Sequence, residues 1–133
     1  MHNTVAYRFT ETPPYLTVEF DKISILETLI KNGADINART KTTETALHKV
    51  AMFDNEEAIE VVVQSSAKID MKDKYWGTPL YVAARFNRVS AVKILLRNGS
   101  SLKAKGKFGY TPLEIALTKK EYDVDIFKMI MCE

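Results

Sequence analysis

Reactive side chains are scarce in this sequence, and none are grouped. The histidines are His2 and His48, and the single cysteine is Cys132. A cysteine nucleophile needs a neighbouring base or cation to form its thiolate, and no histidine lies near Cys132 in sequence. No Cys/His cluster has metal-ligand spacing. Gly106-Lys107-Phe108-Gly109 pairs glycines with a lysine but lacks the Lys-Ser/Thr that completes a phosphate-binding loop. The sequence therefore predicts no catalytic residue, no cofactor and no metal. What it offers is basic and aromatic side chains interleaved, as in Lys72, Lys74, Tyr75 and Trp76, or Lys105, Lys107, Phe108 and Tyr110. Such stretches suit non-covalent recognition, because cations steer an acidic partner and aromatic rings supply apolar contact.

These stretches belong to a repeating pattern. Thr78-Pro79-Leu80-Tyr81-Val82-Ala83-Ala84 recurs 33 residues earlier as Thr45-Ala46-Leu47-His48-Lys49-Val50-Ala51. It recurs 33 residues later as Thr111-Pro112-Leu113-Glu114-Ile115-Ala116-Leu117, and a damaged copy stands at Thr12-Pro13-Pro14-Tyr15. A fixed period in the range of about 20–50 residues marks a repeat array. Threonine before proline reads as a helix N-cap followed by the first helical residue, since the hydroxyl accepts an orphan N–H and proline has none to lose. Inner helices are expected at about 12–20, 45–53, 78–86 and 111–119. Outer helices are expected from Ile23 to about residue 31, then at 56–65, 88–97 and 124–132. Thr111 with Glu114 also fits a capping box. The last repeat keeps phase only with two residues inserted near Lys119–Tyr122. Ile36, Ile69 and Leu102, spaced by 33, are expected to pack inward at the base of each loop.

The 133 residues fit one domain of four repeats, about 1–33, 34–66, 67–99 and 100–133. Hydrophobic content of 46%, charged content of 27% and a net charge of +2 are ordinary for a globular chain. No apolar run reaches the length of a membrane span, and residues 1–8 lack the pattern of a secretory signal. A lone cysteine fits a reducing compartment, so an intracellular protein, cytoplasmic or nuclear, is expected.

Over essentially its whole length the chain resembles the ankyrin-repeat family, strongly in repeats two to four and weakly in the first. The resemblance implies an all-α solenoid of helix-turn-helix units with β-hairpin finger loops. It also implies a protein-binding module rather than an enzyme, with partners held along a concave side of fingertips and inner helices. Two departures stand out. The motif's histidine survives as His48 but is Tyr81 and Glu114 in the next two repeats. In the family this histidine bonds neighbouring loops, so those two junctions are expected to be weaker. The finger glycine is present as Gly109, whereas Thr43 and Trp76 hold its place elsewhere.

With this register, the candidate partner-binding residues are Arg39, Lys41, Thr42, Met52, Phe53, Lys72, Lys74, Tyr75, Trp76, Arg85, Phe86, Lys105, Lys107, Phe108, Tyr110 and Lys119. Eight of these are basic, with Glu44 the one acid among the exposed finger and inner-helix positions, although the whole chain carries 19 basic and 17 acidic residues. Gly77 is expected to be exposed beside them. The acids Glu27, Asp54, Glu56, Glu57, Glu60, Asp123 and Asp125 fall on outer helices or their entries. The expected partner is a protein with an acidic, partly apolar segment, and the expected role is adaptor or masking inhibitor. Nucleic acid is a rival for such a surface. Self-association through Phe127, Met129, Ile130 and Met131 is another, although four repeats suffice for a monomer.

Overall fold

The computed structural model describes residues 23–74, 77–118 and 124–131. The inner helix expected at 12–20 and the insertion near Lys119–Tyr122 lie outside them. Seven α-helices are present among the described residues: α1 Ile23–Lys31, α2 Ala46–Phe53, α3 Glu56–Gln64, α4 Pro79–Arg85, α5 Val89–Arg97, α6 Pro112–Leu117 and α7 Val124–Met131. The inner helices α2, α4 and α6 pack side by side, and α1, α3, α5 and α7 follow one another behind them. Each inner helix also packs on the outer helix of its own repeat.

The Thr-Pro-Leu motifs start helices as their chemistry requires. The hydroxyls of Thr45, Thr78 and Thr111 accept from the backbone N–H three residues on, and Pro79 and Pro112 open α4 and α6. Glu114 returns a bond to the Thr111 N–H at 2.9 Å, completing the expected capping box. Those hydrogen bonds from Thr111 hold the Glu114 carboxyl below the usual carboxylate range. Chain reversals after the inner helices use Asp54 and Asn87, both at φ 58°, and those after the outer helices use Gly33, Ser66 and Gly99. Each set recurs at the repeat period.

The core is built from one side of every helix. Leu47, Val50, Leu80, Tyr81, Ile59, Val62, Val92, Leu95, Ile126 and Ile130 are buried, and Ala51, Ala83, Ala84 and Ala116 allow the inner helices to approach closely. Val61–Val63 is helical within α3 despite its weak propensity, because packing of Val62 overrides it. Ile36 is buried, and Ile69 and Leu102 pack against the core from half-buried positions. Of the α7 residues expected to be exposed for self-association, Met131 is largely exposed whereas Ile130 is buried.

The β-hairpin expectation needs revision. No strand occurs among the described residues. Each finger is closed by one backbone bond, from the N–H of Thr40, Asp73 and Gly106 to the carbonyls of Glu44, Gly77 and Tyr110, at 2.8, 2.9 and 2.8 Å. Helices begin two residues after each acceptor, at Ala46, Pro79 and Pro112, so the second arm of the finger ends before another rung of a ladder can form. The first and third fingers add an inner turn, Thr43 N–H to Thr40 O and Gly109 N–H to Gly106 O.

His48 ties one repeat to the next. The Thr45 N–H can only donate, so His48 Nδ1, 3.2 Å away, accepts. The ring proton is therefore on Nε2, which donates to the Gly77 carbonyl at 2.8 Å. Burial disfavours the imidazolium and lowers the His48 pKa below its ordinary value, against the raising influence of the Gly77 carbonyl and the Asp73 and Glu44 carboxylates. In the next repeat Tyr81 fills the equivalent place, fully buried. Its ring occupies the volume that a Cβ on Gly106 would take, with ring carbons 2.5–2.6 Å from that position. The φ of Gly106 is −99°, open to any residue, so the demand for glycine here is one of space.

Two outcomes follow from these junctions. Gly106→Ala should destabilise the fold by about 1–3 kcal/mol through overpacking. Most of that loss should be recovered when Tyr81→His is present, measured as a double-mutant cycle in urea unfolding. Because the folded pKa of His48 is depressed, its contribution is fully present above the unfolded value of about 6.5 and is lost as pH falls toward the folded value. The melting temperature should fall between pH 7.5 and 5.5, and His48→Gln should flatten that slope.

Candidate functional site

Irregular backbone leads into each finger, before the turn at 41–42 in the first and the 3-10 turn at Lys107–Gly109 in the third. Burial alternates along it. Arg39 and Lys41 are exposed around buried Thr40, and Lys72 and Lys74 are exposed around buried Asp73. Lys105 is exposed before half-buried Gly106. Fingers one and two are joined by a backbone bond from Lys74 N–H to Thr42 O at 3.3 Å. Fingers two and three meet where Gly77 backs onto Gly106, leaving 2.8 Å between a Cβ built on Gly77 and the Gly106 Cα. This contact buries Gly77, contrary to the expectation that it is exposed.

The carboxylates of these loops are committed to loop geometry. Asp35 accepts from Asn37 N–H at 2.9 Å, and Glu44 accepts from the Thr42 hydroxyl at 2.9 Å. Asp70 accepts from Ser101 N–H at 3.1 Å, and Asp73 accepts from Gly77 N–H at 2.7 Å. Asn37 is the counterpart of Asp70 in the preceding repeat, accepting from Lys68 N–H at 2.7 Å. Asp35, Asp70 and Asp73 thus hold backbone donors and Glu44 holds a hydroxyl; of these Asp35 and Asp70 are exposed, while Glu44 and Asp73 are half-buried and buried beside the exposed finger cations. Thr42 is half-buried and its hydroxyl is bonded to Glu44 and within 3.1 Å of the Thr40 hydroxyl, so its side chain serves the finger itself.

The ends of the inner helices add aromatic surface. Phe53 is 48% exposed, with Lys49 Nζ 5.3 Å from its ring centroid. One repeat on, Phe86 is half-buried, and the Arg85 guanidinium carbon lies 5.5 Å from its centroid. Met52 is half-buried, and its carbonyl accepts from Arg88 Nε of the next repeat. Phe108 is 76% exposed and Tyr110 is 37% exposed at the third finger. Tyr75, Trp76, Lys119 and the side chain of Lys107 lie outside the described residues.

Two features escaped the sequence reading. Lys49 joins the aromatic end of α2 through the ring of Phe53, a pairing its i, i+4 spacing permits. Phe108 sits at φ 65° and ψ 12°, in the left-handed region that disfavours bulky residues. No sequence rule would place it there.

Nothing else in the described fold competes with this face for chemistry. No group of three or more His, Cys, Asp or Glu side chains suited to a metal occurs among the described residues. A groove between α1 and α3, whose lining includes Glu27, Lys31 and Val61, includes no finger residue. No described helix is long and apolar enough to cross a membrane.

Comparison with known proteins agrees with this architecture. A family model for ankyrin repeats in three copies matches residues 15–106. No curated protein matches the sequence. The family match ends before α6, and the structure carries the same inner–outer helix pairing on through α6 and α7. Ankyrin repeats mediate protein–protein interaction and are typically not enzymes. The recurring Thr-Pro-Leu caps, the stacked helix pairs and the family match together establish that the chain belongs to the ankyrin-repeat family.

Proposed function

We propose that this chain is a non-catalytic binding module that captures another protein through its finger row and the adjoining ends of its inner helices. It acts as an adaptor or as an inhibitor that masks its target. The partner presents an acidic, partly apolar segment. The observation that carries this reading is the sorting of charge at the fingers. Arg39, Lys41, Lys72, Lys74 and Lys105 are exposed, while the finger carboxylates of Glu44 and Asp73 are half-buried and buried and accept hydrogen bonds within their own loops. Exposed positive charge accelerates encounter with an acidic surface. Phe53, Phe108 and Tyr110 supply the exposed aromatic area that dominates binding energy at interfaces.

Charge reversal provides the test. Lys72→Glu with Lys74→Glu should leave the circular dichroism spectrum unchanged, because both side chains are exposed. It should also cut capture of the physiological partner by about tenfold or more and remove the salt dependence of that capture. Undiminished binding by the double variant would remove the basic face from consideration.

Self-association is the second reading, favoured by exposed Leu117, Val124 and Met131 on the last repeat. A sedimentation mass that stays at one chain from low to high micromolar concentration would dispose of it. We expect that monomeric result.

A further inference from the structure

The cations of the fingers form a ladder. Arg39, Lys72 and Lys105 stand 33 residues apart, and Lys41 and Lys74 form a second rail two residues further on. All five are exposed. Successive fingers are held in register by the Lys74–Thr42 backbone bond, the His48–Gly77 bond and the Gly77–Gly106 contact. The rungs therefore recur at the pitch of the stack. That pitch is the width of one helix packed beside another, about 10 Å. It also equals two extended segments side by side at about 4.8 Å each.

A pitch of about 10 Å selects among ligand conformations. A peptide in the extended polyproline-II form advances about 3.1 Å per residue with three residues per turn, so every third side chain recurs on one face at about 9.3 Å, whereas a β-strand turns every third side chain to alternate faces. An α-helix needs about seven residues to cover the same length.

From this match we propose that the finger row is a charge ruler for an extended acidic peptide segment whose Asp or Glu residues recur at every third position, one facing each rung. The segment runs across the fingers from repeat two to repeat four. The inference rests on the acidic-partner reading above and adds the conformation and sequence spacing of the partner. Carboxylates crowded together would leave outer rungs unmatched, and carboxylates spaced for a helix would match the row only at a higher cost in ordering a short peptide.

Fluorescence anisotropy at low salt tests the ruler with labelled synthetic peptides of equal length and equal glutamate count. One peptide carries Glu at every third position in a Ser/Gly/Pro background, and an isomer carries the same glutamates in one block. A third peptide, Ala-based, places Glu at every seventh position, and an oligothymidylate of equal charge is the nucleic-acid arm. The every-third peptide should bind at least about fivefold tighter than each of the others. Lys72→Glu, or the milder Lys72→Gln, should abolish that preference by removing the middle rung. Lys93→Glu, an equal charge change to Lys72→Glu at an exposed position of the outer helix α5, should preserve it. Equal affinity for the spacing isomers, or preference for the helical peptide, would overturn the ruler while leaving the acidic-partner reading intact. Tighter binding of the oligothymidylate would assign the row to nucleic acid instead. Absence of binding by every acidic peptide would overturn both the ruler and the reading beneath it.

Discussion

A finger loop cannot hold itself up, and that constraint shapes this molecule. Each is a few residues of polar backbone closed by one hydrogen bond, too little to offset the entropy of ordering it. The structure meets the constraint by hanging a finger on the inner helix of the repeat before it. His48 shows how much one side chain can connect. Its Nδ1 closes the cap of α2 by accepting from Thr45, and its Nε2 holds the carbonyl of Gly77 in the following finger. Helix initiation in one repeat and loop position in the next therefore depend on the same neutral imidazole. The units are not independently stable objects set side by side; each finishes its neighbour.

That dependence is also what gives the finger row its precision. Side chains at loop tips usually sample many positions. Here Asn37 and Asp70 bond across to Lys68 and Ser101 of the following repeat, and Asp54 bonds across to the N–H of Ala91. The acidic and amide groups nearest the fingers are thereby consumed in holding backbone. The exposed charge of the fingers themselves is positive because Glu44 and Asp73 are half-buried and buried there, although the chain as a whole is nearly balanced.

Much of this was legible in the sequence because one period governs it. Knowing where Thr45, Thr78 and Thr111 fall places the helix starts and the small alanines between them, while the reversals at Asp54 and Asn87 were not read from it. What stayed hidden depends on contacts between residues that no periodic rule pairs. The loss of the motif's histidine at position 81 suggested a weakened junction, but Tyr81 is fully buried there. The space for its ring comes from Gly106 in the next finger, which in the sequence stood out only as part of an incomplete phosphate-loop pattern. The exposure expected for Gly77 failed for a related reason, the backbone-to-backbone approach of two fingers. Hairpin strands are not confirmed among the described residues, where each finger's second arm runs into a helix start two residues past its closing bond. The positive φ of Phe108 had no signal at all, since its residue type argues against that conformation.

The pairing of Tyr81 with Gly106 bears on how such a chain can change length over generations. Ankyrin units look interchangeable, and slippage that copies or drops one of them preserves reading frame and period. Here the joints are keyed differently. Dropping residues 67–99 would bring the smaller imidazole of His48 against Gly106 and leave a void where the phenol ring now lies. Copying the same unit in tandem would press that ring onto Asp73, which has a side chain where Gly106 has none. Insertions and losses of whole units are therefore tolerated only where the two halves of a joint travel together, and the order of the repeats is itself inherited information.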